Sequence, residues 1–379
     1  MNGAIITHQG CEEIAQMEIK ELIGCVSKKK NTIVEFKTNK LQDFVLLNYK
    51  SQTAKKIIIL LSEADIKPNF SKTKKALKKA VENIKIDDWI EPSQTFKVDC
   101  EREGEHEFTS TEIEREIGKE LQIKTKREVS LKSPDLRIII YIQEQKAYVG
   151  IDLSGRDLSK REYKIFTTSN SLKGTIAYSV IRMSGFKPKE KILDPMSGDG
   201  AIAIEIAIYD SKTPINFYKK EFLFQKLKPF KKVNEKAIFE QEDKLISKKK
   251  TNVYCYDYLL RNVKSCQKNA KIAGIERIMN FSKVEIEWMD TKFEEEEIDR
   301  IITHLPSESK RMEKKKIEKM YQELFYQARY VLKNKGTITI ITQKDELLKE
   351  ISKKDFEISK EANIYSGKQK LKIIVLQKR

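Results

Sequence analysis

Histidine and tryptophan are scarce in this 379-residue chain, with three and two copies, and its five cysteines (Cys11, Cys25, Cys100, Cys255 and Cys266) include no C-x-x-C pair. With the three histidines scattered as well, neither a disulfide framework nor a cysteine–histidine zinc centre is suggested, so reduced thiols and no bound metal are expected. Long apolar runs are missing too: nothing approaches the ~18 residues that cross a bilayer, and the most apolar stretch is KIIILL. The N-terminus lacks the charged-then-apolar order of a secretory signal. These absences predict a soluble, cytoplasmic protein with no membrane span. No tandem repeat or long low-complexity tract is present, and the length allows two or three domains, each with its own core.

What the chain does have is positive charge. Its 74 Lys and Arg outnumber 57 Asp and Glu, a net charge of +17. A surplus of that size favours a polyanionic partner such as RNA, DNA or an anionic membrane, because cations displace the counterions condensed on phosphate. The competing reading is that solvated faces are simply lysine-rich. The short runs KKKNT, SKKKTN and EKKKIEK, interleaved with acids, do not decide between the two.

Residues 1–60 read as a small α+β unit: a strand at GAIITH, a helix at CEEIAQMEIKELIG with Ile14, Met17, Leu22 and Ile23 near helical spacing and Gly24 as its stop, then a strand at TIVEFK. A second α+β unit, 61–150, holds the strand TFKVDCER, the helix STEIEREIGKELQI with Ser110 or Thr111 as N-cap, and the strand DLRIIIYIQ. Residues 151–170, polar, basic and without a core period, read as a linker. From 171 to 379 helix and strand patterns alternate, as in an α/β sheet, with an insertion at about 211–250.

The α/β region carries the chemistry. In KILDPMSGDGAIAIEIAIY an apolar strand ends in Asp194, a small-residue turn follows (Met196, Ser197, Gly198, Gly200), and a helix starts near Ala201. Glycines there allow positive φ and let a ligand approach the backbone at a helix N-terminus, although any tight strand-to-helix turn uses them. A second acid, Asp257, beside Tyr258, ends the next strand pattern, 63 positions on (257 − 194). That exceeds the spacing of about 20 usual for a ribose-binding acid, so an insertion intervenes. The insertion mixes lysines with Phe217, Phe222, Phe224 and Phe230, which either stack on bases or pack the insertion onto the sheet. A third strand, FSKVEIEWMD, reads as ending in Asp290. Three acids at the carboxyl edge of one sheet disfavour a phosphate ligand and suit a cationic, hydroxyl-rich one such as S-adenosylmethionine.

The blocks SNSLKGTIAYSVIRMSGFKPKEKILDP, ILDPMSGDGAIAIEIA and VYCYDYLLRNVKSCQKNAKIAGI resemble the Rossmann-like class I methyltransferase domain of the archaeal THUMP-containing RNA guanine-N2 methyltransferases. Upstream, FKVDCEREGEHEFTSTEIEREIG, VSLKSPDLRIIIYI and AYVGIDLSGRDLSKREYK resemble the THUMP domain and the linker after it. The resemblance covers nearly the whole chain, and the insertion is similar to one in the subgroup acting on guanosine 6 of the tRNA acceptor stem and in related ribosomal RNA enzymes, the acceptor-stem enzyme being the preferred assignment. It implies an N-terminal ferredoxin-like domain (1–60), a THUMP RNA-binding domain (61–150) and a methyltransferase domain (171–379) closed by a C-terminal antiparallel hairpin. It implies S-adenosylmethionine as cofactor, with Gly198 and Gly200 on its methionine side, Asp257 on the ribose, Asp290 on the adenine amino group, and Ser171 and Leu172 from the preceding helix nearby. tRNA is the implied partner, its 3′ end gripped by the THUMP unit, with Arg102, His106, Lys124, Lys126 and Lys132 as candidate contacts or ordinary surface. A monomer or a dimer would serve.

One block departs from the family. Where its members carry Asn-Pro-Pro-Tyr or Asn-Leu-Pro-Phe after the fourth strand, this chain has His304, Leu305, Pro306 and Ser307. In the family pattern the Asn oxygen and the next carbonyl accept the two hydrogens of the target amine, and the aromatic ring stacks on the flipped base. A neutral imidazole can accept such a hydrogen, whereas Ser307 cannot stack, a contact that typically contributes about 1–3 kcal/mol. The turn therefore fits an active enzyme with a modified pocket, an enzyme with another target atom, or a catalytically silent tRNA-binding protein. Ser307 also suits the N-cap of the helix through Ile317, Met320, Leu324, Ala328 and Val331. A DNA methyltransferase is disfavoured by the THUMP-like half.

Overall fold

Among the residues that the structure, a computed structural model, describes (1–168, 171–306 and 313–379), the strands form two seven-stranded sheets. Two compact units result. The first comprises Met1–Thr7, Ala15–Leu158 and Lys219–Glu242, and the second His8–Ile14, Ser159–Tyr218 and Asp243–Arg379.

The elements up to residue 152 are β1 (Asn2–Ile6), α1 (Glu12–Ile23), β2 (Ser27–Lys30), β3 (Ile33–Lys37), α2 (Leu41–Lys50), β4 (Lys56–Asp65), α3 (Phe70–Val81), β5 (Phe96–Glu103), α4 (Ser110–Thr125), β6 (Leu136–Gln143) and β7 (Lys146–Asp152). Their sheet runs β2-β3-β1-β4-β7-β6-β5, and β5 with β6 is its one parallel pair. The boundary expected at residue 60 falls inside β4, which pairs with β1 on one side and β7 on the other, so the two expected N-terminal units share a single sheet. Helix α1 stops at Gly24 as its pattern predicts, with φ +68° and its N–H on Lys20 O. Met17, however, is exposed, and the buried face includes Glu18, whose carboxylate accepts from Gln52 N, Thr53 N and the Ser51 hydroxyl. The N-cap of α4 is Thr109, one residue earlier than expected, because a capping box with Glu112 fixes the helix start. Thr109→Ala is expected to cost about 1 kcal/mol, read as a lower denaturation midpoint.

The remaining elements are α5 (Gly174–Met183), β8 (Ile192–Asp194), α6 (Ala201–Asp210), α7 (Glu235–Asp243), β9 (Val253–Asp257), α8 (Leu260–Ile272), β10 (Asn280–Lys283), β11 (Ile298–His304), α9 (Lys314–Val331), β12 (Leu332–Thr342), α10 (Glu346–Ser352), β13 (Phe356–Ser366) and β14 (Gln369–Lys378). The second sheet runs β10-β9-β8-β11-β12-β14-β13. Its first five strands are parallel, and β14 enters antiparallel against both β12 and β13, the expected C-terminal hairpin. Strand β8 lies in the middle of the five parallel strands, buried along its length, as a parallel strand covered on both faces must be. Helix α6 follows with Ala201 to Ile208 all buried, consistent with an Ala/Ile sequence that has no polar face. No helix among the described residues is long and apolar enough to cross a membrane.

The phenylalanines of the insertion divide. Phe222, Phe224 and Phe230 are buried in the core of the first unit with Leu153 and Phe96, and Phe222 and Phe224 stack with ring centroids 5.5 Å apart. Phe239 of α7 packs on Tyr49 at 4.4 Å. Phe217 belongs to the second unit, edge-on to Tyr218. Buried rings cannot stack on a base, so packing is the role of the first three, on the N-terminal sheet rather than the catalytic one. The expected linker is packed as well: Leu153 and Leu158 are buried in the first unit, and Tyr163 in the second.

Candidate active site

Four parallel strands of the second unit, β9, β8, β11 and β12, deliver their carboxyl ends to one edge. The turn after β8 is tied to its neighbours by hydrogen bonds: Ser197 N to Tyr256 O at 2.9 Å, Gly198 N to Asp257 Oδ2 at 3.0 Å, and Gly200 N to Ser197 O at 2.7 Å. Gly198 and Gly200 have φ of +55° and +85°, so both occupy the left-handed region that the sequence predicts for glycine. A Cβ on Gly200 would collide with the Cys266 sulfur of α8, which is how closely helix and turn pack. Asp257 is buried and shared: besides Gly198 N it accepts from Leu259 N at 2.9 Å and from Asn262 Nδ2 at 3.1 Å.

Asp194 joins this turn to the next strand end. Its Oδ1 accepts the Thr303 hydroxyl at 2.8 Å and Met196 N at 3.3 Å. Burial pushes its carboxyl up to about 7; those two hydrogen bonds oppose the shift, and the charges of Asp257 and Asp199 add to it. Thr303 precedes His304, so the carboxyl side of β8 and the turn after β11 share one hydrogen-bonded link. His304 is half-buried at the end of β11, in register with Ile341. Leu305 is buried and its N–H reaches Ile341 O at 3.3 Å, while Pro306 O accepts the Tyr321 hydroxyl at 2.8 Å. Ser307 lies outside the described residues, and the N-cap position of α9 is held by Glu313.

Asp290 does not end the third strand. Strand β10 stops at Lys283, Val284 N adds a last bond to Asp257 O at 3.2 Å, and Asp290 then sits exposed in a 3-10 helix, Ile286–Thr291, its N–H on Gln327 of α9. The acid that directly follows the strand is Glu285. Tyr258 is exposed beside Asp257, and Leu172 is buried.

Several residues that the sequence reading passed over complete the site. The buried Asp199 carboxylate accepts the Ser171 hydroxyl and lies 3.6 Å from Lys164 Nζ. Asn269 of α8, fully buried, accepts from Ile165 N and Phe166 N and donates to Phe166 O and Asp199 O, clamping the segment before α5 to the turn. Arg161 and Tyr163 bind Glu205 of α6 at 2.7 and 2.8 Å. The signal for these was polarity within apolar surroundings, which a hydrophobic period does not report. In the first unit the candidate RNA contacts have local roles. Arg102 lies over Phe108, His106 Nε2 meets Glu144 O at 2.7 Å, Lys124 meets Glu82 O, Lys126 is the left-handed C-cap of α4, and Lys132 is exposed.

The residues present fit a nucleoside-bearing sulfonium. Ser197 Oγ is buried without a hydrogen-bond partner in the glycine turn, a polar atom for a ligand to satisfy. The acids Asp194 and Asp257 end β8 and β9, at the carboxyl edge where open α/β sheets bind their ligands. No group of residues able to hold a metal ion occurs among the described residues.

Residues 161–372 match the family model of the RMKL-like methyltransferase domain, and residues 71–152 that of the THUMP domain. A protein of Methanocaldococcus jannaschii named tRNA (guanine(6)-N2)-methyltransferase is 29% identical over 380 residues, covering 97% of each chain. Two solved structures share the fold from end to end. SMU.472, solved in complex with SAH, has a TM-score of 0.82 at 20% identity, covering 100% of this chain and 98% of its own. TrmN from Thermus thermophilus has a TM-score of 0.73 at 21% identity, covering 100% and 99%.

Proposed function

Because the chain belongs to the RMKL-like methyltransferase family, we propose that it is a tRNA methyltransferase that transfers a methyl group from S-adenosylmethionine to N2 of a guanosine, guanosine 6 of the acceptor stem. The observation that carries this reading is the end-to-end similarity to a relative named for that reaction, which spans the RNA-binding and catalytic parts alike. The THUMP part takes the 3′ end of tRNA and so selects the stem guanine by its distance from that end. The cytoplasm, where tRNA is modified, is the compartment, and a monomer or a dimer serves the reaction equally.

On this reading the cofactor lies against the 196–200 turn. Asp257 takes the ribose hydroxyls, Ser197 Oγ finds its missing partner, and Asp194 faces the cationic end. Glu285, directly after β10, takes the adenine-side place first expected of Asp290. The bound cofactor supplies an electrophilic methyl on a sulfonium. Guanine N2 is a poor nucleophile because its lone pair is delocalised into the ring. His304 and the Leu305 carbonyl therefore accept its two hydrogens, which returns electron density to nitrogen and leaves the imidazole in place to receive the proton lost after transfer. The insertion's buried phenylalanines do not replace the missing aromatic at Ser307.

Unmodified tRNA transcripts incubated with the protein and labelled S-adenosylmethionine are expected to yield N2-methylguanosine, mapped by mass spectrometry to position 6. Binding of both tRNA and cofactor without label transfer would instead identify a catalytically silent binding protein.

A further inference from the structure

The turn after β11 is anchored on both sides of His304-Leu305. On the near side the Thr303 hydroxyl reaches Asp194 Oδ1 at 2.8 Å, and on the far side the Tyr321 hydroxyl reaches Pro306 O at 2.8 Å. Pairing with β12 ends at His304 and Leu305 N, so beyond that point the sheet no longer fixes the chain. Proline has no N–H, which leaves its carbonyl as the only backbone polar group by which Pro306 can be tied down. Tyr321 is 2% exposed and lies in the same apolar cluster as Leu305, together with Ile317, Leu324 and Phe325 of α9. Its ring is therefore immobilised by packing, and its hydroxyl is delivered from a rigid helix.

The peptide unit that carries Leu305 O is planar and ends at Pro306. With Leu305 N bonded to β12 and Pro306 O bonded to Tyr321, that plane is held from both ends. We propose that Tyr321 is a positioning residue of the methyl-transfer site: it occupies the Pro306 carbonyl and so orients the Leu305 carbonyl as the acceptor for the substrate amine. The inference rests on the reading of His304 to Pro306 as the catalytic turn. Tyr321 touches neither substrate nor cofactor and acts only through the backbone.

Its signature is a loss confined to turnover. Tyr321→Phe keeps the packed ring and removes one hydroxyl, so kcat at saturating tRNA and cofactor is expected to fall about tenfold, equivalent to about 1.4 kcal/mol. The KM for tRNA and the Kd for S-adenosylmethionine should stay at wild-type values, and the denaturation midpoint should fall only slightly, by the loss of one hydrogen bond under a packed ring. His304→Ala, assayed alongside, separates this inference from the reading beneath it. If His304→Ala is defective while Tyr321→Phe turns over within twofold of wild type, the role of Tyr321 is overturned and the catalytic turn stands. If His304→Ala is fully active, the turn reading fails and the inference with it. A Tyr321→Phe loss accompanied by an equal loss of cofactor affinity would reduce Tyr321 to a structural residue.

Discussion

Gly200→Ala is expected to remove measurable methyl transfer, a loss of at least about 1000-fold, while leaving a folded but less stable protein. Gly200 sits at φ +85°, where an L side chain costs about 1–2 kcal/mol, and its new methyl group would collide with the Cys266 sulfur and stand 3.1 Å from both Cys266 Cβ and Ile204 Cδ1. Cys266 and Ile204 are fully buried, so neither can turn aside into solvent. Overpacking of this kind adds about 1–3 kcal/mol. The strain is relieved most readily by moving the turn, and the turn carries Gly198 N, Ser197 Oγ and the bond to Asp257. Thermal unfolding and equilibrium binding of S-adenosylmethionine would separate the two effects. Restoring space with Cys266→Ala in the same chain should recover part of both, whereas full binding by Gly200→Ala alone would show that the close approach does not matter.

Asp194→Asn is expected to stabilise the cofactor-free protein at pH 8 and to weaken cofactor binding there. The carboxyl ordinarily titrates at 3.8 and is pushed up to about 7 by burial. Its folded-state pKa therefore lies above the unfolded value, so its ionisation costs the native state nothing near pH 4. The cost grows as pH rises from there to about 7 and is constant beyond, reaching on the order of 4 kcal/mol. The amide retains an acceptor for Thr303 and Met196 N but carries no charge, so the gain in denaturation midpoint over wild type should be absent near pH 4 and full at pH 8. A cationic cofactor favours ionised Asp194. Wild-type affinity should thus fall by about tenfold per pH unit below about 7, and the variant should bind weakly at every pH. A wild-type affinity flat between pH 6 and 8 would remove Asp194 from the cationic end of the site.

The parts of this site that could be read from the sequence are those fixed by local geometry. A strand, two glycines in a tight turn and a helix without a polar face can be arranged in few ways, and Gly198, Gly200 and Asp257 fall where that logic puts them. The strand end expected at Asp290 falls instead at Lys283, because strand length is set by pairing. Strand β10 has β9 as its one partner among the described residues, and beyond Lys283 Val284, Ile286 and Trp288 alternate as a strand would, whereas the 3-10 turn buries Ile286 and Met289, three apart, and leaves Trp288 exposed. Asn269, Arg161 and Glu205 went unread because they are polar residues buried by one another, satisfied only across long sequence separations. The insertion's rings showed apolar character plainly, but not which sheet they would join.

That last point bears on how the protein is made. The first unit draws Lys219–Glu242 from far down the chain, and the second reaches back to His8–Ile14, where Gln9 O accepts Tyr365 N of β13. On the ribosome, therefore, the N-terminal sheet emerges long before Phe222, Phe224 and Phe230 arrive to cover their part of its core, and it must wait with that apolar surface open. The second sheet in turn cannot bind its earliest residues until its last hairpin has been synthesised. Neither unit is a contiguous segment of the chain, so neither can complete its core during synthesis until residues from beyond the other's first segment have emerged. Fragments cut between the two sheets are therefore expected to leave part of a core uncovered and to be less soluble than the whole chain, an order of events set by the way its residues are spelled.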